Sequence, residues 1–233
     1  MARRTKAAAA ITREHLLDAA ERVFRERGVA GSTLGEVAAK AGVTRGAVYW
    51  HFRDKSDLYA AMCERATLPL QTMVERAGVS PHADPMAALR ELALTALARL
   101  ACDARAQAVF DVMFHKTERA TGLEAVAERE RRDRGHCLLQ VERVLAQAVE
   151  KRQLPADTDT ALATRALYAY IEGVMDQWVL DPAAFDLAAA APALVDTMLA
   201  GLRAAPPRRV RETRPLPRKR SLAASVKERA GKA

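Results

Sequence analysis

Gly42, two residues ahead of Thr44 and set between two short runs of helical periodicity, constrains this chain more than any other feature. Before it, Leu34, Val37, Ala38 and Ala41 recur at i, i+3, i+4 and i+7, one apolar face of a helix. A glycine there closes a helix in the left-handed conformation, and a threonine two residues on opens the next by accepting from its first amides. In that second helix Ala47, Val48 and Phe52 fall on one side, and Arg45, Gly46, Tyr49, Trp50 and Arg53 on the other. Large amphipathic rings are costly to expose unless they meet a partner. A helix-turn-helix meets one by laying its second helix in the major groove, N-terminal residues at the base edges. The spacing and chemistry of residues 33–55 fit that use.

The segment GVTRGAVYWHFRDKSDLYAAM, residues 42–62, resembles the DNA-binding signature of the TetR family of bacterial repressors. The opening residues 1–29 are similar to that family's first helix, and most of all to its AcrR/TtgR-like branch of multidrug-efflux regulators. A weaker likeness runs to about Arg203, strongest at RQLPADTD and YAYIEGVMDQWVL. The resemblance implies DNA contacts at Thr33, Thr44, Arg45, Gly46, Tyr49, Trp50, His51 and Lys55. Arg45 suits a base edge, ideally guanine, and Gly46 holds nothing away from the groove. Tyr49, His51 and Lys55 suit phosphates. Thr33 and Thr44 serve as N-caps in any case, and Trp50 has a part-core alternative.

Around this centre the chain reads as all-α. A first helix is expected over about 12–27, its stripe Leu16, Ala20, Val23 and Phe24 closed by Gly28. Ahead of it, Arg3, Arg4 and Lys6 read as a basic arm or as a charged terminus. Asp54 with Asp57 looks like a capping-box variant opening a fourth helix, the one evident mechanical link to the remainder, which Pro69 should kink or interrupt. Asp84-Pro85 caps a fifth helix with the stripe Leu89, Leu92, Ala93, Ala96, Leu97 and Leu100. A short helix is expected near 104–116, a break at Thr121-Gly122, and a long helix over about 123–152, whose ERERRDR run reads as a solvated face. The last two helices, near 160–180 and 188–203, carry more apolar surface than a small domain needs. A two-fold four-helix interface would absorb it, as the resemblance implies. The expected division is a helix-turn-helix domain at 1–55, a helical ligand-binding and dimerisation domain at 56–204, and a disordered basic tail at 205–233.

The charge follows this division. Residues 1–55 hold 11 Lys+Arg against 6 Asp+Glu, residues 56–204 hold 16 against 21, and residues 205–233 hold 10 against 2. One end is suited to a polyanion and the middle is not. For the tail, auxiliary DNA contact and a solubilising segment are both open. Three cysteines, Cys63, Cys102 and Cys137, lack metal or disulfide spacing, so a reducing cytoplasm is expected. The start MARRTK lacks the apolar run of a secretory leader, and no run of 18 apolar residues predicts a membrane span. The five histidines form no HExxH or i,i+4 pair, and no nucleophile motif occurs; no catalysis, metal or cofactor is expected.

For a small molecule, the resemblance places Leu92, Ala96, Phe110, Phe114, His115, Cys137, Val141, Tyr168, Ile171, Glu172 and Met175 around a cavity in the second domain. Such a mixture suits an apolar, permissive site, although the same residues would equally pack a core. Glu172, an acid in an apolar stretch, needs a partner: Arg165, His115 or a cationic ligand. The function so implied is a homodimeric repressor on a palindromic operator, controlling a multidrug-efflux operon and released by hydrophobic drug-like ligands. The alternative is a constitutive DNA-binding or architectural protein relying on its basic tail.

Overall fold

The computed structural model describes residues 2–117 and 124–209, and among them the chain is helical throughout, with no strand. The helices are α1 (Ala2–Arg27), α2 (Leu34–Ala41), α3 (Arg45–His51), α4 (Lys55–Val79), α5 (Pro85–Cys102), α6 (Ala104–His115), α7 (Glu124–Glu150), α8 (Thr160–Leu180) and α9 (Leu187–Ala204). The expected break at Thr121-Gly122 lies outside the described residues.

Local caps set most of the boundaries. Thr33 and Glu36 form a reciprocal capping box ahead of α2, and Gly42 closes α2 at φ 69°, its left-handed conformation placing the turn. The Thr44 side chain accepts from the Ala47 amide to open α3, and Asp84 accepts from Ala87 with Pro85 in the first turn of α5. Asp54 caps α4 through the Asp57 amide, but the Asp57 carboxylate reaches back to the Arg53 amide instead of to Asp54. Two expectations change. The strong helix formers at Ala7–Ala10 let α1 begin at Ala2, so the basic residues near the start belong to a helix and not to an extended arm. Likewise Pro69 does not interrupt α4, which is assigned as one helix from Lys55 to Val79.

Two cores result, and they share an element. Leu16, Leu17, Phe24, Val37, Val48, Phe52, Leu58, Tyr59 and Met62 close the first core. That core reaches along α4 to Ala66, past the expected boundary at residue 55, and takes in Val109 and Val112 of α6. The second core joins α5 to α9 through Met86, Leu97, Leu100, Leu145, Leu187 and Leu199, and takes Phe110 from the same α6. Met113 packs on both. The link between the halves therefore runs through α4 and α6, and α7 adds to it by placing Val126 in the first core and Leu145 in the second. Charge reinforces it: Arg105 of α6 reaches Asp18 of α1 at 3.0 Å, and Arg25 reaches Asp111 at 3.3 Å.

Helices α4 and α7 lie close together. At Gly78 an added Cβ would sit 2.8 Å from the Gln140 Cα, so only glycine permits the approach. Beyond α4, Gln147 of α7 and Gln153 in the turn after it hold residues 80–86 through Ser80, His82, Asp84 and Met86. After α9 the chain returns to the α7–α8 turn, where the Asp159 amide donates to Pro207 O at 2.8 Å, the Arg209 amide to Asp157 O at 2.9 Å, and Arg208 pairs with Asp157. Residues 205–209, expected in the disordered tail, are thus held in place; residues 210–233 lie outside the described residues.

By length and composition α9 is apolar enough to cross a membrane, at mean hydropathy 1.3, yet only 28% of it is buried. One side packs through Leu187, Ala191, Val195, Leu199 and Leu202, and Asp196 takes a two-pronged bond from Arg90. The other side leaves Ala189, Ala193 and Ala200 bare. On α8, Leu162, Ala166 and Ala169 are bare at helical spacing.

Candidate nucleic-acid interface and internal cavity

Helix α3 buries Val48 and Phe52 beneath it and presents its opposite side to solvent: Tyr49 is 48% and Trp50 73% exposed. Trp50 is therefore no part of the core. Arg45 stands at the first position of α3 and folds over Tyr49, Nη2 donating to the hydroxyl at 3.1 Å and the guanidinium lying 5.5 Å from the ring centre. That hydroxyl raises the Arg45 pKa, so the group keeps its charge. Trp50 meets His51 edge to face at 4.6 Å. Burial, and then Arg13, lower the His51 pKa, which favours a neutral imidazole.

At Gly46 an added Cβ would meet only the Thr44 hydroxyl, at 3.9 Å. The protein itself has room for a side chain there, so a need for glycine has to come from what docks. A hollow of about 480 Å³ opens beside α3, lined by Ser32, Thr33, Gly35, Arg45, Tyr49, Arg53, Asp54 and Lys55. Lys55 Nζ donates to the carbonyls of Ala30 at 2.9 Å and Ser32 at 2.8 Å, pinning the loop ahead of α2. Arg53, like Arg45, points outward; its side chain is 86% exposed and pairs with Asp57 at 3.6 Å. Its place on the α3 face was visible in the sequence.

A second hollow, a cavity of about 340 Å³, lies inside the helical half between α4 and α9. Leu92, Ala96, Phe110, Phe114, Cys137, Val141, Tyr168, Ile171, Glu172 and Met175 all line it. His115 does not. One residue on from Phe114 it is turned away, and its ring bridges Asp111 and Asp176, each at 3.1 Å. The wall also includes residues that periodicity alone did not single out: Tyr59, Cys63 and Thr67 of α4, Met113 of α6, and Arg129, Glu130, Asp133 and Arg134 of α7. The ERERRDR run is therefore only partly a solvated face, since four of its members meet the cavity.

Its polar groups are mostly tied to one another. Glu172 pairs with Arg134 at 3.2 Å, and not with Arg165 or His115; Arg134 also lies 5.5 Å over the Tyr168 ring. Arg129 bonds Glu64 at 2.8 Å and stands 3.6 Å from Asp133. Burial, and then Glu172, push the Tyr168 phenol up to about 12; burial likewise pushes the Cys63 thiol up to about 12. Burial raises the Glu130 carboxyl as well, against the lowering effect of the Tyr59 hydroxyl. The cavity is apolar with a charged band on α7.

Residues 16–62 match the family described as bacterial regulatory proteins, tetR family, and residues 84–204 match the MAATS-type transcriptional repressor C-terminal region. The chain is 36% identical over 187 residues to the HTH-type transcriptional regulator AcrR of Shigella flexneri, covering 80% of this chain and 87% of that one. It superposes on NalD, the secondary repressor of the MexAB-OprM multidrug efflux pump in Pseudomonas aeruginosa, with TM-score 0.76 and 31% identity, covering 84% of this chain and 97% of that one. A complex of triclosan with SmeT, from Stenotrophomonas maltophilia, matches with TM-score 0.74 and 33% identity, covering 89% of this chain and 99% of that one. With a capped recognition helix at one end and a repressor C-terminal region at the other, the chain belongs to the tetR family of bacterial regulatory proteins.

Proposed function

We propose that this protein is a ligand-responsive repressor acting in the bacterial cytoplasm, which binds a palindromic operator as a dimer and controls a multidrug-efflux operon. The observation that carries it is the joint placement of α4: Leu58, Tyr59 and Met62 of its first turns share the core that holds Val48 and Phe52, and Tyr59, Cys63 and Thr67 of the same helix wall the cavity. In the free state two copies of α3 enter successive major grooves about 34–36 Å apart. Arg45 reads a base edge, Gly46 lets the helix approach, and Tyr49, Trp50, His51 and Arg53 line the backbone with Thr33 and Thr44 at the helix starts. Lys55 acts by fixing the loop that carries Ser32 and Thr33.

The bare small residues of α8 and α9 support a four-helix dimer contact. An added Cβ at Gly173 or Gly201 meets nothing within 4 Å inside the subunit. An apolar, drug-like ligand in the cavity, as triclosan is in complex with SmeT, would displace α4 and α6 and move the reading heads. Swinging occupancy from nearly full to nearly empty requires a preference for the released form of about 5.5 kcal/mol.

Replacing Arg45 by alanine is expected to cost about 1–3 kcal/mol of operator discrimination in competition binding. Unchanged selectivity would reject the assignment of α3. Operator and ligand must also weaken one another by the same factor. The rival reading, DNA binding through the tail, would have the tail act from the far end of α7. Arg208 and Arg209 are fastened to the α7–α8 turn, and α7, about 40 Å long at 1.5 Å per residue, separates that turn from Tyr59 and the reading head. Deleting residues 210–233 should lower only the salt-dependent, non-specific component.

A further inference from the structure

His115, which the cavity leaves out, meets a carboxylate at each ring nitrogen. Nδ1 lies 3.1 Å from Asp111 Oδ1, one turn back on α6, and Nε2 lies 3.1 Å from Asp176 Oδ1 on α8. The side chains of His115 and Asp111 are mostly buried, at 20% and 19% exposure. The second oxygen of Asp111 faces Arg25 Nε of α1 at 3.3 Å. A chain of charge, Arg25 to Asp111 to His115 to Asp176, thus runs from the reading head through α6 to α8. Neighbouring charges on the helices packed against α6 are engaged elsewhere. Glu64 of α4 holds Arg129, Arg65 of α4 holds Glu14, Asp18 and Glu21, Arg99 of α5 holds Asp103, and Glu172 of α8 holds Arg134.

One protonation state of the ring fills this arrangement. Ionised carboxylates accept and do not donate, so both ring nitrogens have to carry a proton, and that is imidazolium. Two aspartates against one arginine also leave a negative charge that imidazolium cancels. A neutral imidazole has a single N–H. It keeps one aspartate and turns a bare lone pair toward the other, so either α8 is let go or Asp111 swings away and loosens its hold on Arg25. Imidazole is the side chain that gains and loses charge across about pH 5–8.

We propose that His115 is a proton-operated latch: as imidazolium it fastens α8 to α6 and, through Asp111, to α1, and on losing its proton it opens, so that the hold on operator weakens as pH rises. The second half of this rests on the reading of the chain as an operator-binding repressor; the latch itself does not. Each end of the latch is one residue from the cavity wall. Phe114 precedes His115, Met175 precedes Asp176, and both line the cavity. A ligand that forces those two walls apart works against the closed latch, so ligand and proton oppose one another by linkage. On the head side, Lys116, next to His115, accepts at 3.0 Å from the Val29 amide in the loop ahead of α2.

The test follows the full chain from about pH 5.5 to about pH 8, a span in which ordinary carboxylates stay ionised and imidazole titrates. Melting temperatures of the wild type, His115→Gln and Asp176→Asn are read by circular dichroism at each pH. A proton bound in the fold contributes stability that is present at the acid end and lost as pH rises. The wild type should therefore lead each variant by about 2–4 °C more at the acid end than at the alkaline end. The other four histidines are common to all three proteins and cancel. A lead of the same size at every pH, which a merely structural role would give, overturns the latch. A lead that varies with pH over His115→Gln but not over Asp176→Asn overturns the tie to α8. Operator affinity is then measured over the same range, on a duplex recovered by in vitro selection with the full chain. The wild type should bind more tightly than His115→Gln by about fivefold or more at the acid end, the lower end of usual allosteric coupling, and the two should converge at the alkaline end. A ratio unchanged across pH overturns the link to the head. Selection that recovers no specific duplex overturns the repressor reading and the operator half of the proposal with it, while the melts still decide the latch.

Discussion

Replacing Gly78 by alanine tests the closeness of α4 and α7 directly. The new methyl carbon would lie 2.7 Å from the Gln140 Cβ and 2.8 Å from its Cα. Carbon atoms pack comfortably at about 3.5–4.0 Å, so the two helices have to part locally by about 1 Å. Gln140 cannot simply swing aside. It is 3% exposed, and its amide oxygen accepts from Arg143 at 3.0 Å. Overpacking of this kind costs about 1–3 kcal/mol, while exchanging glycine for alanine in a helix returns up to about 1 kcal/mol. Gly78 is the last residue but one of α4, where that return is smallest. The net expectation is a loss of about 1–2 kcal/mol, or about 2–8 °C in melting temperature for a chain of this size. Urea titration followed by circular dichroism, at fixed protein concentration, reads it as a lower midpoint with unchanged slope. Gly135 on α7 provides a control of opposite sign, because an added Cβ there meets nothing within 4 Å. Gly135→Ala should stabilise by up to about 1 kcal/mol. If both substitutions moved the midpoint in the same direction, the packing argument would be refuted.

Other outcomes follow from the remaining geometry. Ala96→Phe, placed on the cavity wall, should weaken apolar ligand binding by about tenfold while leaving operator binding in the absence of ligand intact; calorimetry and gel shift separate the two. Gly173→Glu, one turn on from the bare Ala169 of α8, should give a monomer by analytical ultracentrifugation and lose tight operator binding, and a dimer that persisted would move the interface elsewhere. The Glu36 carboxyl is held below its ordinary pKa of 4.5 by the Thr33 hydroxyl and then the Thr33 amide. A depressed carboxylate contributes stability that is complete above its ordinary value and lost as pH falls through the folded value. The melting temperature should therefore drop on acidification below 4.5, and Glu36→Gln should flatten that drop.

What could be read in the sequence was what neighbours in the chain decide. Gly42, Thr44 and Asp84-Pro85 place their helix boundaries through bonds spanning three or four residues, and all three stand where their chemistry put them. The apolar wall of the cavity was legible for the same reason, since one helix stripe lists its own members. Partners across the fold were not. Glu172 took Arg134 from 38 positions away, and Lys55 spent its charge on carbonyls 23 and 25 residues earlier. Periodicity has no term for such choices. Nor could it place His115, which is apolar-adjacent in sequence yet held outside the cavity by two aspartates.

The double allegiance of α6 has a consequence for anyone rebuilding this protein. Val109 and Val112 belong to the head, Phe110 to the body, and Met113 to both, so no cut between consecutive helices separates the two cleanly. A reading head transplanted from a relative would arrive without one wall of its interior unless the matching side of α6 travelled with it. Redesign is accordingly simplest at the outward residues of α3, such as Tyr49 and Trp50, where substitution leaves both interiors as they were.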